Sequence, residues 1–267
     1  MNSPLVSIIT VVYNGEAFIE QTIKSVLEQT YANIEYIIID GKSTDGTIKI
    51  IKKYETKIST FISEKDTGIY NAMNKGLALA TGKIVGILNA DDYYYPETIQ
   101  LVVEKFEQSN ADVVYGNMTK LRTFNEKECF KEVQPDISLM EKTMPIFHPA
   151  TFVKKELYEK IGTFNEKYKL SADYDFIYRA YKADAVFEYI PQPLTVFRID
   201  GATSTNCKSY KEGYQILKSN NSPFANDMKR LIIKCKIKNF IRTIASVFIA
   251  FFGLNNWNEK RLIKKWM

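Results

Sequence analysis

The chain has 267 residues, 45% apolar and 25% charged, the proportions of an ordinary globular protein long enough to bury a sizeable core. Its net charge of +5 is unevenly placed: residues 228–267 carry ten Lys or Arg and one acid, which leaves 26 basic and 30 acidic residues in 1–227. A mildly acidic main body argues against a nucleic-acid partner, because phosphate backbones are held by basic patches.

In chain order, Val6 to Tyr13 is β-branched and reads as a buried strand, followed by a turn at Asn14-Gly15. Ile19, Ile23, Val26 and Leu27 then recur at helical spacing. Ile34 to Ile39 reads as a second strand ended by Asp40-Gly41, and Ser43 to Thr47 as a loop and N-cap before a helix through about Tyr54. A third strand spans Ile58 to Ser63, and a helix spans Ile69 to Leu79. The fourth strand, Ile84 to Asn89, ends abruptly in Asp91-Asp92. A helix follows around Pro96 to Phe106, then a short strand at Asp112 to Tyr115. Asn117 to Asp136 alternates as a hairpin does, and Ile146 to Val153 is apolar around His148-Pro149. Leu170 to Tyr181 reads as a helix, and Phe187 to Arg198 is β-rich with two prolines. Strands alternating with helices imply an α/β fold with a mostly parallel, doubly wound sheet. Right-handed crossovers place Tyr13, Asp40, Lys65-Asp66 and Asn89 to Asp92 along one edge, where open α/β sheets bind ligands.

Two adjacent carboxylates at a strand end repel each other and call for a cation; hard oxygen ligands suit Mg²⁺ or Mn²⁺, which grip phosphate oxygens. The plainer reading is an acid-rich turn that starts the next helix. Asp173 either caps the helix it begins or serves as a base, a role Asp175 could also take. Asp40 is either a turn residue or a ligand contact. His148, the single histidine, is a structural residue or faces an acceptor or diphosphate. Arg198 binds a diphosphate or pairs with an acid. Cys129, Cys207 and Cys235 are far apart, odd in number and without CxxC spacing, so neither a disulfide nor a zinc site is expected, and a reducing cytosol fits. The N-terminus lacks the basic region of a secretory signal.

Val6–Asn14, Ile37–Asp40 with Ser43–Thr47, Asn74-Lys75-Gly76, Leu88–Asp92 and Ala172–Asp175 occur in the order seen in family 2 glycosyltransferases. The resemblance covers residues 5–205, and the run from Ser63 to Gly76 resembles the bacterial branch that builds surface polysaccharides. It implies the GT-A fold over 1–205, with a nucleotide-sugar half (about 1–116) and an acceptor half (about 117–205). It further implies that Thr10, Tyr13 and Asp40 surround the base and ribose, with Lys65, Asp66 and Asn74 near the ribose and diphosphate. Asn89, Ala90 and Asp91 would lie against the nucleotide, Asp91 and Asp92 on the metal, and Asp173 would be the catalytic base. Asn89 and Ala172 stand where the family's motifs often carry acids, and the Q-x-x-R-W of processive synthases is absent, Phe197-Arg198 being the nearest piece.

Sugar transfer requires neutralisation of the leaving diphosphate, a base for the acceptor hydroxyl and an in-line pose. One base with direct displacement inverts the anomeric centre; a retaining hydrolase needs a second carboxyl as nucleophile, and none is evident. The expected function is therefore inverting, metal-dependent transfer of a single sugar from a UDP-sugar to a glycan or lipid-linked acceptor in envelope or capsule polysaccharide synthesis. The rivals are a sugar-phosphate nucleotidyltransferase and a degenerate binding module without turnover.

Residues 206–267 form a separate expectation. Ile233, Ile237, Phe240, Ile241, Ile244, Phe248, Phe251 and Phe252 recur on one helical face, with Lys234, Lys238 and Arg242 away from it and Trp257 and Trp266 beyond. The uncharged stretch from Thr243 to Leu254 is shorter than the roughly 20 residues that cross a bilayer. A basic amphipathic helix of this kind lies in a membrane interface, which here points to the inner face of the cytoplasmic membrane; packing on protein is the alternative.

Overall fold

The structure, a computed structural model, describes residues 3–124, 126–199 and 207–251. The first half runs β1 (Val6–Val12), α1 (Ile19–Leu27), β2 (Ile34–Asp40), α2 (Thr47–Lys52), β3 (Thr60–Ser63), α3 (Ile69–Leu79) and β4 (Ile84–Asn89). It continues through β5 (Tyr93–Tyr94), α4 (Thr98–Gln108), β6 (Val113–Phe124), β7 (Lys127–Val133), β8 (Thr151–Lys154), α5 (Lys155–Ile161), α6 (Ala172–Lys182) and β9 (Phe187–Arg198). Two helices follow, α7 (Lys208–Ser219) and α8 (Ala225–Phe251).

Among the described residues one sheet of nine strands has the order β3-β2-β1-β4-β8-β6-β9-β5, with β7 paired to β6. The strands β3, β2, β1 and β4 are mutually parallel, whereas β8 is antiparallel to both β4 and β6. The expected hairpin is β6 with β7, in antiparallel register from Met118↔Val133 to Phe124↔Lys127. The two prolines of β9, Pro191 and Pro193, sit where its register with β6 shifts between Gly116 and Met118. A proline cannot donate to a ladder, and a bulge accommodates it.

Both faces of the central strands are covered, which is why β1, β2 and β4 read as unbroken apolar runs rather than alternating ones. Ile9, Ile37 and Ile87 pack with Met73 and Leu77 of α3 and Phe176 of α6 on one face. Ile8, Ile38 and Leu88 pack with Ile23 of α1 and Val102 of α4 on the other. Helix α3 approaches β1 closely at Gly76, where a Cβ would lie 2.4 Å from Ile9 Cγ2.

The structure differs from the sequence reading in the last third. Helix α5 was not expected. The helical appendage expected from residue 206 is not wholly separate: Ile216, Leu217 and Met228 are buried in the same core as α3 and α6. Glu212 of α7 accepts hydrogen bonds from the Lys169 and Leu170 amides at 3.0 and 2.8 Å. The expectation of unpaired cysteines, and with it the cysteine argument for a reducing cytosol, is corrected, since Cys207 and Cys235 form a disulfide that ties the start of α7 to α8. Helix packing, not chain spacing, brings those two together; Cys129 alone is free and buried. Further along α8 the apolar face is open: Ile237 and Phe240 are 54% and 68% exposed, and Ile233, Ile241 and Ile244 are exposed as well. Phe252, Trp257 and Trp266 lie outside the described residues, as do the side chains of Arg242, Phe248 and Phe251.

Candidate active site

The parallel register fixes the edge of the site. Val12 pairs with Asp40, Asp40 with Ser63, and Val11 with Asn89, so four strands end at one level. The loops after β1 and β2 are stitched together there. Asn14, at φ 51°, donates its amide to Ser43 Oγ at 2.8 Å and accepts from the Thr44 amide at 2.8 Å. The Gly15 amide donates to Thr47 Oγ1 at 2.9 Å, and Glu16 accepts from the Gly46 amide at 2.9 Å. Sequence reasoning treated Asn14, Ser43 and Thr47 as turn residues; their polar types at a strand end were the available signal for this network.

The expected base and ribose contacts separate into two kinds. Tyr13 is 66% exposed at the edge beside Gly41. Asp40 is fully buried and accepts from the Ser43 amide at 3.0 Å and Ser63 Oγ at 2.6 Å, so its carboxylate is held from within the protein. Thr10 is also fully buried, with its hydroxyl 3.1 Å from the Tyr36 hydroxyl, and supports the sheet rather than facing the edge. Lys65 is exposed. Asp66 is paired with Lys75 at 2.7 Å.

At the end of β4, Asp91 retains part of its surface, and burial raises its carboxyl above the usual range while Arg198 opposes the rise. Asp92, expected beside it on a metal, points inward. It is fully buried, accepts from the Arg198 amide at 3.1 Å and from Asn89 Nδ2 at 3.4 Å, and is pushed well up by burial and then by the charge of Asp91. The carbonyls of Ala90 and Asp92 accept from Thr22 Oγ1 at 2.8 and 2.7 Å, which pins this turn to α1. Asn89 Oδ1 is buried without a partner. The guanidinium of Arg198 bonds Gln21 at 2.9 Å, pairs with Glu128 at 3.5 Å and lies over the Phe18 ring at 4.4 Å. No cluster of three or more His, Cys, Asp or Glu side chains is arranged for a cation among the described residues.

Asp173 opens α6 and lines a cavity of about 10 Å³ with Ile87, His148, Tyr158 and Phe164, room for about one water. Its Oδ1 accepts from the Tyr70 hydroxyl at 2.8 Å. His148 is partly buried; burial lowers its pKa and the Asp173 charge opposes that. Asp175, the alternative base on the acceptor side, is instead buried and bonded to Arg179 Nε at 2.9 Å. Arg179 in turn holds the carbonyls of Gly162 and Thr163 at 3.2 and 2.7 Å. Asn74, expected near the ribose or diphosphate, grips the same loop from α3. Its amide donates to the Phe164 carbonyl at 2.9 Å and to Glu166 at 3.0 Å, and accepts from the Phe164 amide at 3.0 Å.

Comparison with known proteins gives a uniform result. The model of Glycosyl transferase family 2 matches residues 7–185. An uncharacterized glycosyltransferase of Rickettsia prowazekii is 31% identical over 262 residues, covering 94% of this chain and 81% of that protein. A PGL/p-HBAD biosynthesis glycosyltransferase of Mycobacterium tuberculosis is 32% identical over 192 residues, covering 70% of this chain and 73% of that protein. Among solved structures, S. aureus TarS 1–349 in complex with UDP-GlcNAc aligns with a TM-score of 0.64 at 22% identity, covering 79% of this chain and 65% of that one. The mannosyltransferase PcManGT of Pyrobaculum calidifontis, in complex with GDP-Man and Mn²⁺, aligns at 0.63 and 17% identity, covering 98% and 85%. The two structural likenesses speak to the fold.

Proposed function

The chain belongs to glycosyl transferase family 2 and is a glycosyltransferase of GT-A fold, and from that premise we propose inverting transfer of a single sugar from a nucleotide sugar, a UDP-sugar first, to a glycan or lipid-linked acceptor. The carrying observation is the common level of the β1, β2, β3 and β4 ends, with exposed Tyr13 and partly exposed Asp91 along one edge. Solved neighbours of this fold hold UDP-GlcNAc and GDP-Man with Mn²⁺, which supports a nucleotide-sugar donor and a divalent ion.

The residues present fit such an ion in part. Asp91 and the unpartnered Asn89 Oδ1 are hard oxygen donors at the strand end, and phosphate oxygens of the donor would complete the shell. A bound Mg²⁺ or Mn²⁺ supplies Lewis-acid neutralisation of the leaving diphosphate. Asp92, bonded to Asn89 Nδ2 and the Arg198 amide, fixes the turn that carries Asp91. Tyr13 offers an aromatic face to the base. Asp173 takes the proton of the acceptor hydroxyl, with His148 beside it on the cavity wall.

Nucleotide release from UDP-, GDP- and dTDP-sugars, with Mn²⁺ and with EDTA, tests this reading. Metal-dependent release from one donor, lost in Asp91→Ala and in Asp173→Asn, is expected. Binding of a nucleotide without release by any donor would favour a binding module; no binding would sink the reading.

We further propose that α8 lies on the inner surface of the cytoplasmic membrane, in keeping with a lipid-linked acceptor. Its exposed isoleucines and Phe240 lie among Lys229, Arg230, Lys234, Lys236 and Lys238, which complement anionic headgroups. No helix among the described residues is long and apolar enough to cross a membrane. Removal of 229–267 is expected to release the protein from anionic vesicles, and unchanged flotation would refute the placement.

A further inference from the structure

Lys65, Asp66 and Asn74 of the run from Ser63 to Gly76 were expected near the ribose and diphosphate, yet one side of α3 faces the other half of the protein. Thr67, Asn71 and Asn74 all bond Glu166, at 3.4, 3.2 and 3.0 Å. The Tyr70 ring packs on Phe164 with centroids 5.6 Å apart, and the Tyr70 hydroxyl reaches Asp173. We infer that Tyr70 is a positioning residue for the transfer reaction: its phenol, donating to Asp173 Oδ1 at 2.8 Å, aims the Asp173 carboxylate at the proton it accepts. This rests on Asp173 being the base, as proposed above.

Tyr70 is buried, so its hydrogen bond to Asp173 is only weakly challenged by water. Burial and the neighbouring Asp173 charge raise its pKa well above the usual tyrosine value, so the phenol remains a donor throughout the pH range of an assay. A hydrogen-bond donor on a carboxylate favours its charged form over its protonated one. The other titratable groups facing this pair are His148 before β8 and Tyr158 on α5, with Glu212 of α7 acting on Tyr70. None of them donates a hydrogen bond to the Asp173 carboxylate among the contacts described.

The test is the pH profile of nucleotide release from the fastest UDP-sugar, with water as acceptor, for wild type, Tyr70→Phe, Asn71→Ala and Asp173→Asn. Tyr70→Phe is expected to lower kcat about tenfold, leave the donor KM within about twofold and move the acidic limb up by about one pH unit, the scale of one hydrogen bond to a charged group. Asn71→Ala, which loosens the Glu166 loop but leaves the phenol, should lower the melting temperature without moving the limb. A fluorotyrosine at position 70, a stronger donor, should move the limb down. An unchanged limb and kcat in Tyr70→Phe, with Asp173→Asn inactive, would overturn the role of Tyr70 alone. Turnover surviving in Asp173→Asn would overturn the base assignment instead.

Discussion

Replacing Asn74 by Ala separates two accounts of one residue. Its resemblance-based role is contact with the ribose or diphosphate; its observed bonds all go to Phe164 and Glu166, in the loop before α6. The substitution removes two neutral hydrogen bonds to the Phe164 backbone, about 1 kcal/mol each. It also removes one bond to the Glu166 carboxylate, which is partly exposed and is discounted to about 1 kcal/mol. The total is about 3 kcal/mol. At about 2–4 °C per kcal/mol for a chain of this size, the melting temperature should fall by about 6–12 °C. Urea unfolding of wild type, Asn74→Ala, Glu166→Gln and the double variant gives the coupling, because residues in one network are non-additive. Nucleotide binding is measured on the same samples at 15 °C, where the variant remains folded. A melting loss under about 2 °C with nucleotide binding abolished would refute the structural account and return Asn74 to the donor.

Other expectations follow from close contacts and buried charge. Gly76→Ala should destabilise by about 1–3 kcal/mol in urea unfolding, because its Cβ would fall 2.4 Å from Ile9 Cγ2, and Ile9→Ala in the same chain should restore part of the loss. Since burial lowers the His148 pKa, the unfolded chain binds more protons as pH falls below about 6.5, so stability present above that pH is lost on acidification. His148→Asn should flatten that slope between about pH 6.5 and 5, and an unchanged slope would place the dependence elsewhere. Thiol titration of denatured, unreduced protein should find one group, Cys129, and three after reduction; three before reduction would refute the Cys207–Cys235 bond.

Much of the frame was legible in the chain. The runs Val6–Val12, Ile34–Asp40 and Ile84–Asn89 are apolar because both faces of a central parallel strand are covered, and α3 carries helical spacing over the span it occupies. Their alternation with helices was enough to place Asp40 and Asn89 at one edge, since right-handed crossovers leave few other choices. The two-residue β5 and the seven-residue α5 escaped because so short a segment shows no period.

What the tertiary structure alone decided is which way each polar residue faces. Asp91 and Asp92 are neighbours in sequence, yet one keeps an outer surface and the other is spent on Arg198, 106 residues away. Asp173 and Asp175 begin the same helix, but two residues on a helix point about 200° apart, so one meets Tyr70 and the other Arg179. Thr10 is turned to Tyr36, Asn74 to Phe164, and Cys207 to Cys235 by packing between segments 26, 90 and 28 residues apart. Local sequence sets the period of an element and so its apolar face. A hydrogen bond closes only within about 3 Å, and at that range the partner is chosen by how distant segments pack.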